Sequence, residues 1–282
     1  MNRHAYLIIA HNRLEMLKKL VAAIDDSRND IFVHIDAKAP YDGRELRTEY
    51  SKLTVVQPRI DARWGDFSLV EVEFALLKEA LKREEYSYLH LISGVDYPIK
   101  SQDYIHRYCA EHQGTEYVGL AQNVTREELG HRTQHYFPFS RQFNSTNMAI
   151  KVLRIIAVKL QSLVRYRRTT MPVSKGCQWW SITDNFARYI LSNVEMLRRD
   201  FNHTYCPDEM AIQTLFWNSP FSEKAFSRTD EFDGCKRFIP WENGELRPLD
   251  EKQFEAMKAS DAWFARKFTS ETLSAFLEST SS

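Results

Sequence analysis

The stretch AYLIIAHNRLEMLKKLVAAIDDSRNDIFVHID, residues 5–36, decides the fold class of this chain. Residues 5–11 form an almost wholly apolar run, which predicts a buried strand. Over 13–26 the apolar residues recur at three- and four-residue spacing, as they do on one face of a helix. A second apolar run at 30–36 predicts the next strand. A strand, a helix and a second strand in this order are typical of a parallel α/β sheet.

The rest of the chain extends this alternation. Further strands are predicted at 53–58, 86–93, 115–121, 177–183 and 236–241, and further helices at 68–84, 103–114 and 184–201. We expect one domain over residues 1–282, built on a mixed, mainly parallel sheet that is flanked by helices. In such sheets, ligands bind at the carboxyl ends of the strands.

The composition is that of a globular protein. Of the 282 residues, 43% are hydrophobic and 27% are charged. No run approaches the ~20 apolar residues that are needed to cross a bilayer. The cysteines lie far apart without C-x-x-C spacing, which argues against a zinc site and predicts free thiols in a reducing cytoplasm. They are Cys109, Cys177, Cys206 and Cys235.

Charge is unevenly distributed, although the formal net charge is zero. Residues 129–183 contain no Asp or Glu but nine basic residues, and we interpret 129–175 as a basic insertion. A basic segment in a neutral protein predicts an anionic partner. One hypothesis from charge alone is a nucleic-acid-binding protein, although no recognised nucleic-acid motif accompanies the segment. The nine are Arg132, Arg141, Lys151, Arg154, Lys159, Arg165, Arg167, Arg168 and Lys175.

Within the basic insertion, residues 148–168 carry apolar residues at helical spacing. On a helical wheel, a polar, cationic stripe lies beside the apolar face, within an arc of roughly 100°. Two interpretations stay open: a surface helix whose apolar face packs on the core, and a helix that lies at an anionic membrane surface. The stripe consists of Lys151, Arg154, Gln161, Arg165 and Arg168.

Three polar stretches follow predicted strands, where a parallel sheet binds its ligands. AHNR places His11 after the first strand, HIDAKAP places Asp36 after the second, and SGVDYPIKS places Asp96 after a later one. From the residues alone, His11 could equally be an ordinary strand-end histidine. Asp96 could equally be a turn or capping residue.

TYCPDEMAIQTLFW, residues 204–217, places Asp208 and Glu209 directly after Pro207. Proline suits the first turn of a helix, and acids in that turn interact favourably with the helix dipole. A carboxylate can also act as a general base. The residues alone leave both roles open.

Seven motifs occur in an order that resembles one known family. They are AYLIIAHNRLEMLKKLVAAI, IFVHIDAKA, WGDFSLVEVEFALLKEAL, LHLISGVDYPIKS, GCQWWSIT, YCPDEMAIQTL and ARKF. Together they resemble the core-2/I-branching β-1,6-N-acetylglucosaminyltransferase family, glycosyltransferase family 14, which also includes peptide O-xylosyltransferases. The resemblance runs from about residue 4 to residue 268 and is weakest in the acid-free segment.

The resemblance implies a GT-A-type, Rossmann-like fold and an inverting transfer of a sugar from a UDP-sugar to a hydroxyl. It favours N-acetylglucosamine as the sugar; UDP-xylose as the donor and a catalytically inactive sugar-binding relative are the alternatives. It also implies that no divalent metal or other cofactor is needed. HID, residues 34–36, agrees with this, because metal-dependent relatives of the fold place an Asp-x-Asp pair there. Without a metal, Lys or Arg must stabilise the leaving diphosphate.

The resemblance also assigns roles to the basic and acidic residues of the site. Glu209 matches the catalytic base of the family, whereas Asp208 stabilises or caps the helix start. Arg237 and Lys267 match the basic residues that meet the diphosphate. Each of these two has a basic neighbour, so either assignment could shift by one residue.

Further residues are assigned to the donor and the acceptor. Asp36 is expected to contact the uridine and ribose, and Trp64 and Gly65 match a tryptophan-containing motif near the donor. His11 and Asp96 are also assigned to the donor.

On the acceptor side we place Trp179, Trp180 and Arg141. The two tryptophans alternate in a predicted strand, so one is expected to face the core while the other stacks on a sugar.

The animal members of the family are Golgi proteins with a membrane anchor, a stem and several disulfides. This sequence shows none of these, which predicts a bare catalytic domain of bacterial type in a reducing cytoplasm. Its expected partners are a UDP-sugar and a glycan or lipid-linked saccharide of surface polysaccharide synthesis. Peripheral contact with the inner face of an anionic plasma membrane is a further hypothesis, and no nucleic acid is expected.

Overall fold

A computed structural model describes the chain over residues 3–82, 85–164, 169, 171–242 and 245–281. Within these ranges the strands are β1 (His4–Ala10), β2 (Asn29–Ile35), β3 (Lys52–Val55), β4 (Tyr88–Ser93), β5 (Tyr97–Pro98), β6 (Ser181–Ile182), β7 (Arg237–Phe238), β8 (Trp241–Glu242), β9 (Glu245–Leu246) and β10 (Phe264–Ala265).

The central sheet has the strand order β3-β2-β1-β4-β6. Its first four strands run parallel, and β6 is antiparallel to β4. Leu7 of β1 lies opposite Phe32 of β2 on one side and opposite Leu91 of β4 on the other. Every residue of β1 is buried, because a central parallel strand is covered on both faces, and its sequence is therefore a continuous apolar run. The predicted mixed, mainly parallel α/β sheet is confirmed.

Helices cover both faces of this sheet. One face packs against α2, α6 and α8, and the other packs against α1 and α3. β1 contributes to both cores, since Leu7 faces the first and its neighbours Tyr6 and Ile8 face the second. The helices are α1 (Leu14–Ala23), α2 (Ser68–Ala80), α3 (Gln102–Glu111), α4 (Arg126–Thr133), α5 (Met148–Leu163), α6 (Asp184–Ser192), α7 (Val194–Phe201), α8 (Ala211–Trp217), α9 (Glu231–Gly234), α10 (Phe254–Ala259) and α11 (Ser270–Ser281).

A small second sheet brings the C-terminal part of the chain to the carboxyl end of β4. Its strand order is β5-β10-β7, in which β10 is antiparallel to β5 and parallel to β7. The N–H of Phe268 donates to the carbonyl oxygen of Val95, which follows β4, at 3.1 Å. Residues that follow β10 therefore lie at the sheet edge where the sequence predicts a ligand site.

Several predicted elements are shorter or broken in the structure. The strand expected at 115–121 is reduced to isolated bridges of Glu116 and Tyr117, and the one expected at 177–183 is reduced to β6. The helix expected at 184–201 consists of α6 and α7, which meet at Asn193. The Asn193 side chain donates to the carbonyl oxygen of Tyr189 at 2.8 Å and so caps the end of α6.

α5 covers the first part of the helix predicted at 148–168, whereas Arg165 and Arg168 lie outside the described residues. No residue of α5 is buried. The interpretation in which its apolar face packs on the core is therefore wrong. No helix in the described part of the chain combines the length and the apolarity that crossing a membrane requires. The four cysteines are free thiols and are all buried.

Candidate active site

A cavity of about 300 Å³ opens at the carboxyl edge of the central sheet. His11 and Arg13, which follow β1, line this cavity. Ser93, the last residue of β4, lines it as well. Arg266 and Lys267, directly after β10, form another part of the wall. The fold thus gathers residues from both ends of the chain at the edge where parallel sheets bind ligands.

The wall of this cavity is cationic. Arg13, Arg266 and Lys267 line it, and none of its described lining residues is an Asp or Glu. The pKa of Lys267 is lowered, first by partial desolvation and then by the positive charge of Arg266. Partial desolvation also lowers the pKa of His11. An anion such as a phosphate would relieve the mutual repulsion of these cations, so the cavity is suited to an anionic ligand.

Arg266 is held in place from two sides. Its Nε donates to Oδ1 of Asp96 at 3.1 Å, and its guanidinium lies 4.4 Å from the ring centroid of Trp179. Asp96 also accepts from the backbone N–H of Ser93 at 2.8 Å and from the hydroxyl of Ser93 at 2.5 Å. Asp96, which the sequence assigns to the donor, is buried behind Arg266 and positions that cation.

Two predicted site residues lie in the core instead of the cavity. Arg237 is 2% exposed and donates to the carbonyl oxygens of Leu91 and Trp180 and to the hydroxyl of Ser181. These bonds tie β4 to β6, and both terminal nitrogens of the buried guanidinium are paired, whereas its Nε has no hydrogen-bond partner among the described residues. Trp180 is fully buried, and Trp179 is also buried but lines the cavity. The assignments of Arg237 to the diphosphate and of Trp180 to the acceptor are corrected accordingly.

Glu209 ends a 3-10 helix that spans Pro207–Glu209. Oε2 of Glu209 accepts from Nη2 of Arg132 at 2.8 Å and lies 3.8 Å from Nζ of Lys175, and neither contact uses Oε1. The Glu209 side chain is 36% exposed, whereas the Arg132 side chain is 9% exposed. A partly exposed carboxylate that an ion pair holds through one oxygen is suited to act as a general base.

One short segment joins this carboxylate to the cavity. Its first residue, Lys175, contacts Glu209, and the N–H of Gly176 donates to the carbonyl oxygen of Glu209 at 3.0 Å. Two residues later, Gln178 lines the cavity and donates to Oε1 of buried Glu73 at 2.9 Å. The segment 175–178 therefore links the candidate base to the lining of the cavity.

Gly176→Ala is expected to displace this segment. An added Cβ would lie 2.1 Å from the carbonyl oxygen of Gly119, well inside van der Waals contact. We expect the free energy of unfolding to fall by about 1–3 kcal/mol, with a parallel loss of activity, because the backbone must move to relieve the clash. Urea denaturation measures the first effect and turnover the second.

Gly130→Ala is the matched control for this change. A Cβ at Gly130, in α4, would meet no atom within 4 Å. Alanine should stabilise that helix by about 0.5–1 kcal/mol. Equal stabilities of the two variants would contradict the expected clash at Gly176.

Asp208 has an environment unlike that of its neighbour Glu209. Its Oδ1 is buried and has no hydrogen-bond partner among the described residues, and no side chain caps the 3-10 helix at its start. Burial raises the pKa of Asp208 to about 7, and the charge of Glu209 adds to the increase. Burial also raises the pKa of Glu73, which interacts electrostatically with Asp208. The helix cap expected from Asp208 is not formed.

The raised pKa of Asp208 predicts a pH-dependent stability. In the unfolded chain an Asp titrates near about 3.9, whereas the folded chain keeps this proton up to about pH 7. The folded state therefore binds more protons in this window, so the free energy of unfolding falls as the pH rises through it. Urea denaturation at about pH 5 and about pH 8 should show lower stability at the higher pH.

Asp208→Asn should flatten this dependence, because asparagine does not titrate. If the free energy of unfolding of this variant falls with pH as steeply as that of the wild type, then other groups cause the pH dependence. Glu116 is the first of these, since burial raises its pKa to about 7 as well.

Asp36 lies directly after β2, with both carboxylate oxygens hydrogen-bonded to the protein. Oδ1 accepts from the N–H of Lys38 at 2.7 Å, and Oδ2 accepts from the N–H of Ala62 at 3.0 Å. Asp61 pairs with Lys38 and, at 2.9 Å, with Arg141. Arg141 of the basic insertion therefore reaches the same sheet edge as Asp36.

Trp64 and Gly65 adjoin the turn that carries Glu209. Gly65 has a φ of 76°, and its carbonyl oxygen accepts from the N–H of Cys206 at 3.0 Å. Trp64 is 54% exposed, and its ring meets that of Tyr205 edge-on with centroids 5.9 Å apart. An exposed indole next to Tyr205, close in sequence to Glu209, provides a flat apolar surface on which a sugar ring can pack.

The sequence alone does not assign Arg13, Arg132 or Lys175 to the site. Arg13 belongs to the polar AHNR stretch after the first strand, which is a usable signal. Lys175 belongs to the acid-free segment, which is a weaker one. Arg132 pairs with Glu209 across 77 residues of sequence, and no local pattern indicates this pairing.

Three buried side chains in the core also have spacing that could suit a metal: His4, His90 and Cys109. Nδ1 of His4 and Nε2 of His90 are 3.0 Å apart, and Nδ1 of His90 lies 2.8 Å from Oγ of Ser181. His90 therefore hydrogen-bonds to both His4 and Ser181, and none of the three candidate ligands lines the cavity. Metal independence of the site at Glu209 stays a prediction.

Fold and site together define a Rossmann-like α/β protein with a cationic cavity at the carboxyl edge of its sheet. The chain belongs to the Core-2/I-Branching enzyme family, which matches residues 4–273. This match confirms the resemblance that rests on the seven sequence motifs. It also includes the basic insertion, where those motifs are weakest.

The chain is similar to Xylosyltransferase 2 of Rattus norvegicus, at 23% identity over 296 residues that cover 95% of this chain and 32% of that protein. It is also similar to a xylosyltransferase of Ciona intestinalis, at 22% identity over 292 residues that cover 94% and 32%. The chain thus spans about a third of the length of the curated relatives it matches. Among solved structures, mouse Xyloside xylosyltransferase 1 in its apo form has 11% identity and a TM-score of 0.39, over 96% of this chain and 99% of that one.

Proposed function

We propose that the chain is an inverting glycosyltransferase that moves a sugar from a UDP-sugar to a hydroxyl of a glycan or a lipid-linked saccharide. The observation that supports this most directly is the cationic cavity, whose lining the segment 175–178 links to Glu209. A leaving diphosphate needs positive charge, and an attacking hydroxyl needs a base. Membership of the Core-2/I-Branching enzyme family supports the same class of reaction.

In the proposed reaction, the donor diphosphate lies against Arg13, Arg266 and Lys267. Glu209 accepts the proton of the acceptor hydroxyl while the hydroxyl oxygen bonds to the anomeric carbon. The bond from that carbon to the diphosphate oxygen breaks, and UDP leaves with the electron pair. A single displacement of this kind inverts the anomeric configuration. The ion pair with Arg132 keeps the carboxylate oriented for the attack.

We propose further that the transfer needs no divalent metal. The three cations that line the cavity can supply the positive charge that a metal provides in other transferases. Activity should persist in excess EDTA. An activity that EDTA abolishes and Mn²⁺ restores would contradict metal independence while leaving the role of Glu209 open.

Two donors are proposed on an equal footing. The sequence motifs favour UDP-N-acetylglucosamine, whereas the names of the matched relatives favour UDP-xylose. A panel of UDP-sugars separates them through thermal stabilisation of the protein and through slow hydrolysis of the donor. We expect free UDP to stabilise the protein and one UDP-sugar to be hydrolysed in clear preference. Steeply salt-dependent DNA binding without affinity for UDP would contradict the proposed function.

A further inference from the structure

α5 turns its polar face inward and its apolar face outward. Arg154 donates to the carbonyl oxygen of Gln142 at 3.1 Å, and its guanidinium lies 4.6 Å from the ring centroid of Phe143. Gln161 accepts from the N–H of Tyr136 at 2.7 Å and donates to the carbonyl oxygen of the same residue at 2.8 Å. Two members of the predicted polar stripe therefore attach α5 to the rest of the protein.

The outward face of α5 is mainly aliphatic, and exposed Lys159 lies among its apolar side chains. Leu160 is 58% exposed and Leu163 is 79% exposed. A surface helix of a globular protein has the opposite orientation, and a contiguous exposed apolar face marks an interaction site. The exposed residues of this face are Met148, Val152, Leu153, Ile155, Ile156, Leu160, Leu163 and Val164.

The charge on α5 identifies the kind of partner. Lys151 and Lys159 are exposed, and no acidic residue occurs anywhere in 129–183. We propose that α5 lies in the headgroup region of an anionic lipid bilayer, with its aliphatic face toward the acyl chains. In this position Lys151 and Lys159 meet lipid phosphates. Apolar burial and electrostatic attraction are the two contributions that hold amphipathic helices at such surfaces.

A second copy of the chain fits this face less well. In a two-fold dimer the same patch meets itself, so Lys151 and Lys159 of both copies would approach one another. The segment 129–183 offers no carboxylate to balance them. Anionic lipid supplies the missing negative charge.

A short series of ring contacts leads from α5 to the active site. Phe143, which stacks on Arg154, meets the ring of Tyr205 with centroids 4.9 Å apart. The guanidinium of Arg132 lies 5.5 Å from the centroid of Tyr205, and it pairs with Glu209. These contacts connect the inward face of α5 to the candidate base, and, if the proposed function holds, the acceptor would be presented at the membrane surface.

Co-sedimentation of the full chain with vesicles tests the proposal. At low salt we expect binding to vesicles of phosphatidylglycerol and phosphatidylcholine that is at least tenfold tighter than binding to pure phosphatidylcholine. Ile156→Gln combined with Leu160→Gln should weaken binding by at least about 100-fold, since two aliphatic side chains no longer enter the bilayer. Lys151→Gln combined with Lys159→Gln should weaken binding to anionic vesicles by about 30-fold.

A matched control replaces two exposed aromatic residues outside α5. Tyr50 is 62% exposed and Trp241 is 50% exposed, so Tyr50→Gln combined with Trp241→Gln should leave vesicle binding unchanged. None of the four substituted aliphatic and aromatic residues is buried, so each variant should keep the unfolding temperature of the wild type. This distinguishes lost binding from lost folding.

Site-specific fluorescence gives a second, direct readout. All four native cysteines are buried, so Leu160→Cys can be labelled selectively with an environment-sensitive dye, and Tyr50→Cys serves as its control. We expect a blue shift with anionic vesicles for the label at Leu160 only. No vesicle binding, or binding that the Ile156/Leu160 variant retains, would overturn the proposal. So would a dimer, seen by analytical ultracentrifugation without lipid, that this variant dissociates. Vesicle binding and donor hydrolysis are separate assays, so this proposal and the proposed function can fail independently.

Discussion

Glu209→Gln is expected to slow sugar transfer by at least about 100-fold, the effect typical of losing a general base. Glutamine keeps the shape of the side chain, and its amide oxygen can still accept the bond from Arg132, whose Nη2 lies 2.8 Å from Oε2 of Glu209. UDP affinity should change little, because the diphosphate meets the cavity wall and not this carboxylate. Single-turnover kinetics measure the first quantity, and calorimetric titration with UDP measures the second.

Glu128→Gln provides the matched control. Its Oε1 lies 3.7 Å from Nη1 of the same Arg132, and the Glu128 side chain is 49% exposed. The two variants remove the same charge beside the same guanidinium, but only Glu209 adjoins the segment that lines the cavity. If both variants lost the same fraction of the transfer rate, the effect would come from the charge around Arg132 and not from the loss of a general base. Near-native turnover of Glu209→Gln would remove the assignment altogether.

The sheet is the part of the structure that the sequence predicts best. β1, α1 and β2 follow from hydrophobic spacing within residues 5–36, and that spacing is a local property of the chain. Because a central strand is buried on both faces, its sequence is a nearly continuous apolar run, and such a run is readily recognised in a sequence. The short elements near the site are predicted poorly. Residues 115–121 and 177–183 have strand-like composition, yet few partners remain for them at the edge of the sheet.

The sequence predicts the site only in part, because tertiary contacts determine which of two neighbouring residues faces the cavity. Arg237 and Arg266 each stand beside another basic residue, and the sequence does not reveal which guanidinium faces a ligand. The register of β10 with β7 decides this: Arg237 enters the core and bonds to Trp180, while Arg266 reaches the cavity. Likewise, the helical spacing of α5 predicts two faces but not which of them is turned outward.

The C-terminal cations are the most informative place to perturb donor binding. Lys267→Ala is expected to weaken UDP affinity and to slow transfer, each by about 10- to 100-fold, which corresponds to losing a charged contact of about 1.5–3 kcal/mol. Both quantities should change together, because the ammonium would meet the diphosphate in the ground state and in the transition state. Titration with UDP and steady-state kinetics measure the two losses.

Several controls make this result specific to the charge at the cavity. The Lys267 side chain is exposed, so its removal opens no gap in the core, and its backbone carbonyl still accepts from the N–H of Leu249 at 2.9 Å. Lys267→Arg keeps the charge and should retain most of the UDP affinity. Lys252→Ala removes one charge from the exposed surface away from the cavity wall and should have no effect on either quantity. A Lys267→Ala protein with unchanged UDP affinity would show that the diphosphate does not bind against this residue. The carboxylate of Glu209 would then need a different donor pose to act on, since a general base requires the acceptor hydroxyl and the anomeric carbon within its reach.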